Sequence, residues 1–309
     1  PGATWYPHDV AMRILVTNDD GVGAPGIATL AAAVRDAGHD VLIVAPSTDH
    51  SGYGTALGPL HVTGRVTYAR STEDGLPVIA VDGPPALCTL CGVLGGFGPA
   101  PDVVLSGVNA GANTGRAVLH SGTVGAALTA AQVGVPAMAV SLALDDEWHW
   151  ATAADLAVDL LEAVAGSGPG SVVNLNVPNV DASLVRGVAP AALAVRGTVQ
   201  AVFGEPAEGT LQLRFEPNVG RPGPDTDEAL LADGWATLSV LSGPRAAPPA
   251  DATAMLDARS QGTAAARNAS LSRRSLATML RMPSRSLSRK IVVAARIPSL
   301  TRAKRWSAC

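Results

Sequence analysis

The chain has 309 residues, of which 47% are hydrophobic, 16% charged and 4% aromatic, a composition typical of a globular protein with a buried sheet and Ala-rich helices. No apolar run of about 18 residues lacks Gly or Pro, which predicts no membrane-spanning helix, and the odd number of three cysteines argues against a disulfide framework and favours a cytoplasmic location. The net charge of −4 divides unevenly, since residues 1–245 carry 10 basic and 24 acidic side chains whereas residues 246–309 carry 12 basic and two acidic ones.

The first part of the chain alternates between predicted strands and helices. We expect residues 1–11, which lack the basic start and apolar stretch of a signal peptide, to be a disordered extension. Strands are then predicted at 13–17, 40–45, 102–106, 137–141 and 171–177, and helices at 25–35, 121–133 and 155–165. Because apolar strands alternate with helices, residues 12–184 are predicted to form a doubly wound α/β core whose mostly parallel sheet is covered on both faces.

The rest of the chain has a different composition. Short strands predicted at 185–195, 199–203 and 211–215 indicate a β-rich arm, and a strand at 236–241 returns to the core, so that arm and returning segment together span 185–245. Residues 246–309, rich in Ala, Ser and Arg, are predicted to be disordered or loosely helical. Trp306 is the only aromatic residue of this tail, so stacking platforms are missing and no nucleic-acid role is predicted.

Two consecutive carboxylates follow the first predicted strand. Asp19 and Asp20 lie in a turn at its carboxyl end, which is where ligands bind in open α/β sheets. Adjacent carboxylates repel each other unless a cation neutralises them, and hard oxygen ligands suit Mg²⁺ or Mn²⁺. Taken alone, the turn also fits a solvated loop in which Asn18 or Asp19 caps the next helix.

Two further segments at predicted strand ends favour a metal site. In residues 106–115 three glycines let the backbone approach a ligand, and Asn109 and Asn113 supply amide oxygens and donors. The segment Ser121-Gly-Thr123 begins a helix, whose N–H groups and hydroxyls form a site for an anion. Carboxylates, a Gly/Asn loop and an anion-binding helix start together predict a site for a metal and a phosphate.

From about Met12 to Gly243 the sequence resembles the survival protein SurE family of metal-dependent 5′/3′-nucleotidases. The resemblance rests on these segments in chain order: 13–22 (RILVTNDDGV), 24–26 (APG), 44–46 (VAP), 51–52 (SG), 106–109 (SGVN) with Gly111 and Asn113, 121–127 (SGTVGAA), 174–178 (NLNVP) and 226–227 (TD). It implies a Rossmann-like core with an exchanged C-terminal segment, a homodimer or homotetramer, and a nucleoside monophosphate as substrate.

The resemblance also implies roles for individual residues. The implied metal ligands are Asp19, Asp20, Ser51 and Asn109, and Asp19, Asp20 and Asn109 are also expected to be catalytic. The residues expected to bind phosphate are Asn18, Gly52, Gly107, Asn113, Ser121, Gly122 and Thr123. His120 is either a proton donor to the leaving alcohol or a partly buried structural histidine, and His50 is a second candidate donor.

At four positions the chain departs from the pattern of the family. The family usually has acids near Ala117 and Thr129, an Asp at Leu87 and a Tyr at His120. Because the implied metal ligands are intact, the predicted reaction is phosphomonoester hydrolysis by metal-activated water, with one of the two aspartates orienting or deprotonating that water. The departures motivate an alternative, a non-catalytic nucleotide-binding protein that acts as a sensor or accessory subunit.

Two other features have more than one interpretation. Trp148 and Trp150 either wall a base-binding pocket or pack at the start of a helix. A dinucleotide-binding enzyme is a third possible function, which is disfavoured because the acid pair occupies the turn that the phosphates would fill.

Overall fold

The computed structural model describes residues 10–195, 199–204, 209–217 and 222–243. By its contacts the chain divides into residues 1–245 and residues 246–309. Residues 1–9 of the predicted extension, and the whole of the predicted basic tail with Trp306, lie outside the described residues. No helix in the described ranges is long and apolar enough to cross a membrane.

The described residues form eleven strands: β1 (Arg13–Thr17), β2 (Asp40–Pro46), β3 (Tyr68–Glu73), β4 (Leu76–Val81), β5 (Val103–Ala110), β6 (Ala137–Leu142), β7 (Ser171–Val177), β8 (Val188–Pro190), β9 (Val199–Phe203), β10 (Leu213–Pro217) and β11 (Ala236–Ser242). Nine of them form the central sheet, in the order β3-β4-β2-β1-β5-β6-β7-β11-β8. Only the pairs β3–β4 and β7–β11 of this sheet are antiparallel, while β9 and β10 form a separate antiparallel pair. The prediction of a mostly parallel α/β sheet is thus confirmed.

Helices cover both faces of the sheet. They are α1 (Pro25–Asp36), α2 (Leu60–Thr63), α3 (Pro85–Val93), α4 (Gly122–Gln132), α5 (Trp150–Asp159), α6 (Leu161–Ala165) and α7 (Asp227–Ala232), with short 3₁₀ turns at Gly115–His120 and Ala182–Leu184. Ile14 and Val16 pack with α1 and α5 on one face, whereas Leu15 packs with α3 and α4 on the other. This period of two along a buried central strand requires apolar residues at every position, which is why β1 reads as a continuous apolar run.

The strand order reverses beside β1. From β1 the chain runs to β2 and β4 on one side, and it later returns through β5 on the other side. A crevice opens at such a reversal because neighbouring connections leave the sheet toward opposite faces. The carboxyl ends of β1 and β5 are therefore the place where the fold predisposes a ligand site.

Three elements differ from the sequence prediction. The hairpin β3–β4 was not predicted, because every residue of β3 is exposed and the strand shows no apolar alternation. The helix expected at 155–165 begins at Trp150 and is interrupted at Leu160, where α6 follows. The strand expected at 185–195 is confined to β8, which ends at Pro190, a residue that has no N–H to continue the ladder.

Candidate functional site

A cavity of about 330 Å³ opens at the carboxyl ends of β1 and β5. Its lining brings together residues from three separate stretches of the chain, 19–20, 51–52 and 109–121: Asp19, Asp20, Ser51, Gly52, Asn109, Ala110, Ala112, Asn113, Thr114, Ala117, His120 and Ser121. All four implied metal ligands are among them, as are three of the seven residues expected to bind phosphate, Gly52, Asn113 and Ser121.

The turn after β1 fixes the acid pair at the cavity. Asn18 is fully buried, and its side chain accepts a hydrogen bond from the N–H of Gly21 (3.2 Å) and donates one to the carbonyl of Gly21 (2.9 Å). Gly21 adopts a φ of +100°, which a residue with a side chain rarely takes. Asn18 therefore shapes the turn from behind and does not line the cavity.

The start of α4 holds the first acid in place. The hydroxyl of Thr123 donates a hydrogen bond to Oδ1 of Asp19, whose side chain is almost completely buried. A Cβ at Gly122 would lie 2.7 Å from the Cβ and Oδ2 of Asp19, so a side chain at that position would displace the carboxylate. Gly122 and Thr123, both expected to bind phosphate, instead pack beneath Asp19.

Burial makes the acid pair electrostatically costly. Desolvation raises the pKa of Asp19, although the hydrogen bond from Thr123 opposes it. Desolvation, with the neighbouring charge of Asp19 second, raises the pKa of Asp20 to about 6. Neither side chain forms an ion pair with any residue that the structure describes. Two crowded carboxylates without a positive partner are a donor set that a divalent cation fits.

The oxygen ligands beyond the acid pair are neutral. In the described ranges no group of three or more His, Cys, Asp or Glu side chains is placed to hold a metal ion. The hydroxyl of Ser51 donates to Oδ1 of Asp49 (2.6 Å), which leaves its lone pairs available to a ligand, and the same Oδ1 accepts the N–H of Ser51 (2.7 Å). The side-chain nitrogen of Asn109, an implied ligand, donates to the carbonyl of Gly111 (2.6 Å), so the amide oxygen is the atom with which Asn109 could bind a cation.

Polar side chains at the ends of β6 and β7 hold Asn113. Its N–H donates to Oδ1 of Asn176 (2.7 Å), and its side-chain nitrogen donates to the hydroxyl of Ser141 (2.9 Å). Its carbonyl accepts from the side chains of Asn174 (2.9 Å) and Asn176 (3.1 Å). The segment 174–178 was predicted as a strand, and its buried asparagines proved to be the support of a cavity residue.

The remaining predicted residues lie at the cavity rim or behind it. Ser121 caps α4, since its hydroxyl accepts the N–H of Val124 (3.1 Å). Gly107 lies behind the cavity in β5, where a Cβ would approach the carbonyl oxygen of Val140 to 2.3 Å. His120 lines the cavity and is exposed, whereas His50 lies next to Ser51 outside the lining.

The structure separates the four departures from the family pattern. Ala117 and His120 line the cavity. Leu87 is buried in α3, and the hydroxyl of Thr129 donates to the carbonyl of Gly125 inside α4 (2.8 Å), so neither reaches the cavity.

Sequence reasoning noted Asp227 but gave it no role. This buried carboxylate accepts the N–H groups of Gly115 (2.7 Å), Ala194 (2.9 Å) and Glu228 (2.9 Å). Gly115 begins the 3₁₀ turn that ends at His120. Asp227 thus fixes one wall of the cavity from a position about a hundred residues further along the chain, and the acid after the cap Thr226 was the sequence signal.

Trp148 and Trp150 stack on each other with ring centroids 4.6 Å apart and do not line the cavity. Both pack against the core cluster on the α1 face, where Trp150 lies against Gly26. Packing at the start of α5, the second of the two interpretations, describes their contacts.

Comparisons of the sequence and of the structure with known proteins both find the same family. Residues 14–199 match the sequence profile of the family described as survival protein SurE. The 5′/3′-nucleotidase SurE of Serratia proteamaculans is 36% identical over 241 residues, which cover 74% of this chain and 90% of that protein. The 5′-nucleotidase SurE of Geobacter metallireducens is 44% identical over 172 residues, which cover 55% of this chain and 66% of that protein.

The crystal structure of the SurE protein from Aquifex aeolicus is similar with a TM-score of 0.62 and 26% sequence identity. The similarity covers 74% of this chain and 93% of that one. The family match over residues 14–199 includes every residue that lines the cavity.

Proposed function

Since this chain belongs to the survival protein SurE family, we propose that it is a nucleotidase that hydrolyses the phosphomonoester of nucleoside monophosphates with the help of a divalent cation. One observation carries this function. Two adjacent, desolvated carboxylates, Asp19 and Asp20, face a cavity whose other polar side chains are amides, hydroxyls and the imidazole of His120. Such a set suits a hard cation and the phosphate that the cation accompanies.

The residues that would hold the cation are Asp19, Asp20, Ser51 and Asn109, and we propose Mg²⁺ or Mn²⁺ as its identity. When bound there, the cation would supply Lewis-acid chemistry, since it would polarise a phosphoryl oxygen and would activate water near neutral pH. The fit rests on the chemistry of the donors, because charged carboxylates supply the attraction and neutral oxygens complete the ligand set.

The protein's own residues position the phosphate and move protons. Asn113, held rigid by four hydrogen bonds, presents its amide edge to the cavity, and Gly52 offers a backbone N–H group. One of the two aspartates takes the proton of the attacking water, and His120 at the rim gives a proton to the leaving alcohol. Rigid donors stabilise the charge that develops on the phosphoryl oxygens.

The proposed oligomeric state, location and domain organisation are those that the family resemblance implies. We propose a homodimer or homotetramer in which a C-terminal segment is exchanged, with a cytoplasmic location. Residues 12–184 would form the catalytic core, residues 185–245 the arm and returning segment, and residues 246–309 a separate tail. The alternative of a non-catalytic nucleotide binder gains no support, since the relatives named above are nucleotidases and the implied ligand residues are all present at the cavity.

Phosphate release tests the function. The purified protein should release phosphate from a panel of nucleoside monophosphates, lose that activity with a chelator and regain it with Mg²⁺ or Mn²⁺. Asp20→Asn should be folded and inactive. Nucleotide binding without turnover across several metals would favour the non-catalytic alternative.

A further inference from the structure

The loop that carries Ser51 and Gly52 is anchored to the cavity on both sides. At its start, the N–H of His50 donates to the backbone carbonyl of Asp19 (2.8 Å). At its end, Gly54 is buried against the turn before α4: a Cβ there would lie 3.0 Å from the carbonyl oxygen of Leu119, and a Cβ on Gly125 would lie 2.2 Å from the carbonyl oxygen of Gly54. These contacts leave little freedom for the three residues between the anchors, and the last of the three carries a large aromatic side chain.

That residue is Tyr53. It follows the cavity-lining Gly52 directly, so its Cα lies about 3.8 Å from a Cα of the cavity wall. Tyr53 is 54% exposed. This exposure is unexpected because the chain has only three tyrosines and its core consists mainly of aliphatic residues that a large aromatic ring could supplement. The ring of Tyr53 meets the ring of His50 edge to face, with centroids 4.9 Å apart. Tyr53 is not itself part of the lining, but an exposed ring that is held directly beside it and contributes little to the core is available for contact with a ligand.

The neighbouring surface is also apolar. Leu119, whose carbonyl packs against Gly54, is 72% exposed. The tryptophans Trp148 and Trp150, the other candidates for a base-binding wall, are occupied in the core on the α1 face. Tyr53 is thus the large aromatic ring that the described part of the chain offers beside the cavity.

We propose that Tyr53 is the stacking platform for the nucleobase of the substrate, an inference that rests on the nucleotidase function proposed above. The phosphate occupies the cavity, the ribose spans the Gly52 rim, and the base lies on the phenol ring with Leu119 beside it. The contact of the ring with His50, whose Nδ1 lies 2.9 Å from the carbonyl oxygen of Thr48, holds the platform in one orientation. Every base has a π-face, so the platform selects nucleotides over simple phosphate esters without choosing one base.

The test compares adenosine 5′-monophosphate with ribose 5-phosphate, which has the same phosphoester but no base. In Tyr53→Ala the ratio of kcat/KM for the nucleotide to that for ribose 5-phosphate should fall about tenfold, through KM and not kcat. Tyr53→Phe should restore the ratio, because stacking needs the ring and not the hydroxyl. Tyr68→Ala is the matched control, since Tyr68 is a similarly exposed tyrosine on β3 that contacts Phe97 and has no cavity-lining residue next to it in the chain.

An unchanged ratio in Tyr53→Ala would overturn the platform, whether neither substrate is affected or both lose activity equally. Calorimetric titration with the same two ligands keeps the inference separate from the proposed function. If the wild type hydrolyses neither compound, the proposed nucleotidase function is wrong. The stacking platform is then supported only if Tyr53→Ala weakens binding of the nucleotide about tenfold and leaves the binding of ribose 5-phosphate unchanged.

Discussion

Replacing Asp20 by Asn should make the metal-free protein more stable while removing its response to metal. Burial and the charge of Asp19 raise the pKa of Asp20 from 3.8 to about 6. A carboxyl whose pKa is higher in the folded state destabilises that state when ionised, so this cost is absent below about pH 4 and complete above about pH 6. The amide carries no charge and avoids the cost at neutral pH.

The magnitude follows from the shift. A pKa difference of about two units corresponds to about 3 kcal/mol. Because Asp20 is only partly buried and lines an open cavity, we discount this to about 1–2 kcal/mol, which raises Tm by about 2–8 °C for a domain of this size. In the wild type, metal at a concentration of about 100 times its Kd should add about 2.7 kcal/mol to the free energy of unfolding. The variant should lose most of this stabilisation by metal.

Thermal unfolding of both proteins, with chelator and with Mn²⁺, measures the two effects in one experiment. The advantage of the variant in chelator should shrink as the pH is lowered from 7.5 toward 4. Asp36→Asn is the control, since Asp36 is an exposed residue paired with an exposed Arg35, and its stability should stay within about 0.5 kcal/mol of wild type. A destabilised metal-free Asp20→Asn, or one that metal still stabilises fully, would refute this account of the site.

Three further substitutions probe the support of the cavity. Gly122→Ala places a Cβ 2.7 Å from the carboxylate beneath the cavity and should weaken Mn²⁺ binding at least tenfold by calorimetry, whereas Gly23→Ala, where nothing lies within 4 Å, should leave it unchanged. Asp49→Ala removes the acceptor that orients Ser51 and should weaken Mn²⁺ binding severalfold. Asp49→Asn keeps an acceptor oxygen and should recover most of the Mn²⁺ affinity. Equal losses of affinity in the two variants would exclude the orienting role. Asp227→Ala leaves two buried N–H groups and one partly buried N–H group without their acceptor and should lower stability by about 2–4 kcal/mol in urea unfolding. A loss below about 1 kcal/mol would show that the cavity wall does not depend on Asp227.

Much of the fold could be predicted because the strands of this sheet are buried on both faces. Their apolar runs and the helices between them are local signals, and the rule that ligands bind at carboxyl ends then gathers Asp19, Asn109 and Ser121 from distant segments. The hairpin β3–β4 was missed although Asp74-Gly75, both with positive φ, is a strong signal for its turn. The exposed β3 offered no apolar alternation to support that signal.

The division of labour within the site was not predictable in the same way. Thr123 and Ser121 are two residues apart at a helix start, yet one supports a carboxylate 104 positions away and the other caps the helix. Asn18 likewise closes its own turn and does not meet the ligand. Sequence spacing brings such residues to one edge of the sheet, but packing between segments decides which of them faces the cavity and which lies behind it.

The buried polar groups at this site destabilise the metal-free protein, which couples metal binding to the stability of the site. Beneath the cavity, Thr17 and Ser106 are register partners on β1 and β5, and the hydroxyls of both are buried without a hydrogen-bond partner among the described residues. Unsatisfied hydroxyls and crowded carboxylates both oppose folding, and such groups concentrate where function requires them. A bound cation offsets the repulsion of the carboxylates, so the cavity is most stable when it is ready for substrate. We therefore expect metal binding and the rigidity of the strand ends to be coupled, with the slowest amide exchange at β1 and β5 in the metal-loaded protein.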